Sequence, residues 1–193
     1  MNLHDTFQRL DPAEYDQAVT WYDRLRDPEK NRVRETLDTL LGYRPHPGDK
    51  EYKFALIVAG SSIDTDSYGD IDLFILTEES LDEYDFFGRG NPIMVLRSQL
   101  YDKLPEYTYL VKYKETDLRD EPSEAKLLEQ GLGARVTVSL LYELEGFEHP
   151  REDHPDDVIL PERPMRAEEL IAYNRGRGSK FVVLSRQYDP LSE

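Results

Sequence analysis

The segment VAGSSIDTDSYGDIDLFIL, Val58 to Leu76, constrains this chain more than any other. Two apolar runs flank a polar Gly-Ser turn, and the second run opens with Asp70-Ile71-Asp72. Side chains alternate faces along a strand, so Asp70 and Asp72 point one way while Ile71, Leu73 and Ile75 point into a core. Two carboxylates side by side on a rigid strand repel each other. A divalent cation between them relieves that repulsion, and Mg²⁺ favours one or two carboxylates together with substrate phosphates. Gly60 and Ser61 offer backbone N–H groups and a hydroxyl where a phosphate can sit.

Composition excludes several classes. The 193 residues suit one compact domain with a sizeable core. No apolar run approaches the ~18 residues that cross a bilayer, and the N-terminus lacks the basic and apolar regions of a signal peptide. A cytoplasmic location and no membrane partner are therefore expected. With no Cys there is neither a disulfide frame nor a thiolate metal site. Forty acidic against 24 basic residues give a net charge of −16, which argues against a protein that coats nucleic acid nonspecifically.

Asp11-Pro12-Ala13-Glu14 carries a helix start, and Asp27-Pro28 a second one whose stripe is Val33, Leu37, Leu40 and Leu41. Residues 1–50 thus read as a helical pair packed on a core at 51–145. In that core Tyr52 to Ala59 reads as a buried strand, Gly60 to Gly69 as a polar turn and Asp70 to Leu76 as the next strand. Asn91-Pro92 caps a helix ending before Pro105, and Tyr107 to Lys114 alternates as a strand. Glu121 to Leu132 reads as a helix and Arg135 to Glu143 as a strand. Residues 146–193 form an extension, with a Pro- and Asp-rich loop, a helix over Met165 to Tyr173, a short apolar segment at Phe181 to Leu184, and a basic tail. The expected fold class is α+β, with a mixed sheet of four or five strands flanked by helices.

An apolar strand (Leu56-Ile57-Val58-Ala59), then Gly60-Ser61, then Asp70-Ile71-Asp72-Leu73 resembles the DNA polymerase β-like nucleotidyltransferase superfamily, over roughly residues 54–142. The resemblance implies the nucleotidyltransferase fold. It implies Mg²⁺ or Mn²⁺ held by Asp70 and Asp72 as the catalytic pair, and an NTP whose triphosphate lies against Gly60, Ser61 and Ser62. The implied reaction moves a nucleoside monophosphate to an acceptor hydroxyl on a small molecule, a protein or an RNA end. The family's third carboxylate belongs on a later strand. Here the matching position is Thr137, with Ser139 next on the same face, and neither carries negative charge. Three explanations stay open: an acid from elsewhere (Glu115, Asp117, Glu143 or Glu145), an enzyme with two ligands, or a degenerate relative acting as a binding or regulatory module with a protein partner, antitoxin-like.

Arg175, Arg177, Lys180 and Arg186 form a basic cluster that suits a triphosphate or an RNA backbone; a helix C-terminus that favours Arg is the alternative. Lys112 and Lys114 share a strand face. Tyr68 is a candidate contact for a base or sugar, or else a cover for the sheet edge. His149 and His154 with nearby acids lack recognised ligand spacing, so a solvated loop is the expectation there.

Overall fold

The computed structural model describes residues 6–7, 9–44, 47, 52–78, 96, 99–100, 103–105, 108–110, 131, 133–141 and 166–189. Two helices come first, α1 (Pro12–Arg24) and α2 (Asp27–Leu41). The strands are β1 (Phe54–Ala59), β2 (Asp70–Thr77), β3 (Thr108–Leu110), β4 (Arg135–Leu141) and β5 (Phe181–Arg186), with α3 (Ala167–Arg177) before the last. They form one five-stranded sheet in the order β3-β4-β2-β1-β5. β1 pairs antiparallel with both β2 and β5, whereas β2, β4 and β3 run parallel. The sheet is mixed and the fold is α+β, with helices on both faces.

Local chemistry accounts for the elements. The Asp11 carboxylate accepts from the Glu14 N–H at 2.9 Å, and Pro12 occupies the first turn, where its missing donor costs nothing. In α2 the Glu29 side chain folds back onto the Arg26 N–H at 3.2 Å. α3 ends at Gly178, whose φ of 81° is the left-handed conformation that closes a helix without a Cβ clash. β1 is buried along its whole length, FALIVA. It lies between two strands and under helices on both faces, so it needs no polar alternation.

The sheet has a core on each side. Ile71, Leu73 and Ile75 of β2 pack with Leu56, Val58, Val136 and Val138 under Trp21, Val33, Leu37 and Leu40 of α1 and α2. The N-terminal helical pair therefore shares its core with the sheet. On the other face Ala55, Ile57 and Val183 pack against Ala167, Leu170 and Ile171 of α3. α3 spans residues 167–177, against the expected Met165 to Tyr173, and the short apolar segment at Phe181 is a full strand beside β1. The expected helices after Asn91 and Glu121 and the loop from His149 to Pro164 lie wholly or largely outside the described residues, as does the strand beyond Leu110. Among the described residues no helix is long and apolar enough to cross a membrane.

Candidate functional site

One end of the sheet collects the polar side chains that the sequence singles out. β1 ends there, while β2, β4 and β5 begin there. The register sets Ala59 opposite Asp72 on one side and opposite Phe181 on the other, and it sets Asp70 opposite Arg135. Asp70 and Asp72 are partly exposed, between the buried Ile71 and Leu73, so the pair shares one face as the alternation requires. That face is the one α3 covers farther along β1 and β5.

Gly60 closes β1 with φ 82°, where an L-residue is strained. A Cβ at this position would lie 2.9 Å from Asp72 Oδ2. The glycine therefore serves the turn and the carboxylate together, because it bends the chain and leaves room for Asp72 to lie over it. Gly60→Ala is expected to displace the Asp72 carboxylate and to lower stability by about 1 kcal/mol. That is a fall in Tm of roughly 2–4 °C. An unchanged thermal unfolding curve would contradict this account of Gly60.

The turn continues as a single 3₁₀ turn, Ser61–Ile63. Ser61 is exposed, whereas Ser62 is 2% exposed, and its buried hydroxyl has no hydrogen-bond partner among the described residues. A buried polar atom left unsatisfied is of the kind that an ordered water or a bound group satisfies. Of the two serines, Ser61 is the one that meets solvent. The Thr65 hydroxyl has the carbonyls of Ser61 at 3.1 Å and Ser67 at 2.9 Å as acceptors for its single proton, which stiffens the turn from within. Arg24, at the end of α1, donates to the Ile63 carbonyl, and Lys180 pairs with Asp64 at 3.0 Å. The turn is thus held from the helix side and from β5.

Asp72 stands opposite Thr137 in the parallel β2–β4 ladder, and Phe74 opposite Ser139. Thr137, the position that the sequence spacing aligns with the Asp pair, is thus the direct neighbour of Asp72 on the adjacent strand. Arg135 lies on the same face two residues earlier, and its guanidinium is 3.8 Å from Asp70 Oδ2. Among the described residues no group of three or more His, Cys, Asp or Glu side chains is arranged to hold a metal. The candidate acids Glu115, Asp117, Glu143 and Glu145 lie outside the described residues, as do Lys112, Lys114, His149 and His154.

Two features of this end are not visible in the sequence pattern. Glu29, on α2, is fully buried. It accepts hydrogen bonds from the Tyr68 hydroxyl, the Ala134 N–H at 2.8 Å, and the Arg26 backbone and side chain. Burial alone would raise its pKa, but these donors outweigh burial and hold it below the ordinary carboxylate range. Glu29 thereby ties together the residues that lead into Asp70 and into Arg135. Tyr68 packs toward the α1–α2 core, with the Arg26 guanidinium 5.4 Å above its ring. The structure thus gives Tyr68 a hydrogen bond to Glu29 and a packing contact with the core that covers the sheet.

The basic cluster does not form one surface. Arg186 is 5% exposed and bonds to Glu14 and Glu168 inside the protein, so it meets no RNA backbone. The expected RNA-end contact through Arg186 is corrected on this ground: it sits at the far end of β5, opposite Ala55. Arg175 pairs with the same Glu14, and Arg177 lies over the Tyr173 ring at 5.9 Å. Lys180 alone of the four is bonded to the Gly-Ser turn.

The class defined by these observations is an α+β protein with a mixed five-stranded sheet and a carboxylate pair at one sheet end. Comparisons with family models, with curated proteins and with solved structures return no match.

Proposed function

We propose that the chain is a metal-dependent nucleotidyltransferase that moves a nucleoside monophosphate from an NTP to an acceptor hydroxyl. The observation that supports this reading most is the Asp72 carboxylate lying over Gly60, which brings an anion-accepting turn and a carboxylate pair into one partly exposed site. The donor set suits Mg²⁺ or Mn²⁺: two hard oxygen ligands, leaving the remaining positions to water and phosphate. Asp70 and Asp72 are the residues that would hold such an ion, and it would supply charge neutralisation for the phosphates. Ser61 and the N–H groups of the turn bind and orient the triphosphate. The acceptor oxygen attacks the α-phosphorus, the bond to the β-phosphate bridging oxygen breaks, pyrophosphate leaves, and the hydroxyl proton passes to water.

Thr137 opposite Asp72 favours a second reading, in which the site binds a nucleotide without turning it over and the protein acts as a regulatory partner. Asp70→Asn tests the site that both readings share. Calorimetry with Mg²⁺ and a non-hydrolysable NTP is expected to show wild-type binding that falls at least about 100-fold in the variant, since loss of mere outer-shell partners already costs 10–100-fold. Unchanged binding in Asp70→Asn would remove the site. Incorporation of labelled nucleotide into an acceptor would decide for transfer over binding alone.

A further inference from the structure

We propose that Lys180 takes the terminal phosphate of the NTP, and that Asp64 competes with the nucleotide for the same ammonium. This rests on the nucleotidyltransferase reading of the site and deepens it. It names a residue for the far end of the triphosphate and a contact of the turn that restrains that residue.

Position carries the argument. Ala59, the last residue of β1, stands opposite Asp72 on one side and opposite Phe181 on the other. Lys180 precedes Phe181 and so lies beside Gly60, across the turn from the carboxylate pair. Neighbouring strands are about 4.8 Å apart, so β5 begins two spacings, about 10 Å, from Asp72. With the α-phosphate at Asp70 and Asp72 and the phosphate chain against Gly60, Ser61 and Ser62, the third phosphate points toward β5. Lys180 waits there with a side chain 52% exposed, its ammonium 3.0 Å from Asp64 Oδ2 on a carboxylate 50% exposed. Arg175 and Arg186 of the same basic stretch are drawn instead to Glu14 on α1.

An ion pair this open to solvent is worth little, so trading it for another acceptor costs little. An ammonium carries three donors on a flexible stem. The trade therefore needs no empty cation, only a stronger acceptor within reach. A terminal phosphate is that acceptor, because it has more charge than a carboxylate and three oxygens. The turn stays fastened through the trade: Arg24 still donates to the Ile63 carbonyl, and the Thr65 hydroxyl still bonds within the turn. Ser62 gives a second sign that this turn receives a group. Its hydroxyl is buried and lacks a partner among the described residues, a deficit of the kind that a bound group makes good.

Calorimetry on the full chain with Mg²⁺ tests the inference, using a non-hydrolysable ATP analogue and ADP, which lacks the third phosphate. Lys180→Gln is expected to bind the analogue about ten-fold more weakly, the effect of losing one hydrogen bond to a charged group, and ADP within about two-fold of wild type. Lys180→Arg keeps the charge and should stay within about three-fold of wild type for both ligands. Asp64→Asn removes the competitor and is expected to bind the analogue about two- to five-fold more tightly. Circular dichroism checks that each variant is folded. Unchanged analogue binding in Lys180→Gln, with binding lost in Asp70→Asn, would overturn the inference and leave the nucleotidyltransferase reading in place. Equal losses for the analogue and ADP in Lys180→Gln would overturn it too, by showing that Lys180 acts through the shape of the turn. Unchanged or weaker analogue binding in Asp64→Asn would remove the competition. No binding of the analogue by the wild type would sink both the inference and the reading beneath it.

Discussion

Arg186→Ala is expected to lower the free energy of unfolding by roughly 3–5 kcal/mol, the effect of leaving one partner of a buried ion pair alone. Arg186 and Glu14 are each 5% exposed at the side chain, and the same guanidinium bonds Glu168. Tyr188 adds a hydrogen bond to Glu168 at 2.9 Å. Burial raises the Glu14 pKa, but Arg186 and Arg175 outweigh it and the carboxylate stays below its ordinary range. Without Arg186, Glu14 keeps Arg175, whose side chain is 49% exposed and a poor substitute. Total stabilities of about 5–15 kcal/mol make such a loss large. Urea denaturation followed by circular dichroism measures it. The double variant Glu14→Gln/Arg186→Met should lose less than the two single changes summed, because it removes the pair rather than orphaning one member. A loss under about 1 kcal/mol for Arg186→Ala would show that the pair is not structural.

Glu29→Ala is the second large effect, also expected at roughly 3–5 kcal/mol. It strands the buried Ala134 N–H and the Tyr68 hydroxyl, and leaves Arg26 without its carboxylate. Unsatisfied buried groups cost about 1–3 kcal/mol each. The same residue sets a pH dependence. The folded-state pKa values of Glu29 and Glu14 lie below the unfolded ones, so the unfolded state binds protons first. Their contribution is fully present above the unfolded carboxylate range of about 4.3 and fades as pH falls through the folded values. Tm is therefore expected to fall steeply below about pH 4, and the slope should flatten in Glu29→Gln. An equal slope in that variant would assign the acid transition to other groups.

The sequence made the local parts of this architecture readable. Gly60, Asp70, Asp72 and the Thr137 position follow from strand alternation and from a register that the apolar residues fix. The helix starts at Asp11 and Asp27 carry their own capping chemistry. Arg186 was beyond such reading, because a cation in a basic stretch looks like surface until a carboxylate distant in sequence is found beside it. Glu29 was hidden for the same reason: at the start of a helix an acid is ordinary, and only Tyr68 and Ala134 make it a buried anchor. β5 was underestimated because its apolar run is short and its burial comes from β1 and from two helical layers.

The position of β1 has a consequence for the order in which the chain matures. Its FALIVA run is flanked on one side by the strand that follows it directly and on the other by the last described strand. During synthesis, the first partner emerges early and the second only after α3. Until Phe181–Arg186 arrives, a fully apolar strand presents an open hydrogen-bonding edge, the form of backbone that recruits foreign strands. The same late segment brings Arg186 to Glu14, so the ion pair and the missing edge are completed together. Pairing with β5 is what covers that edge of β1 in the folded protein.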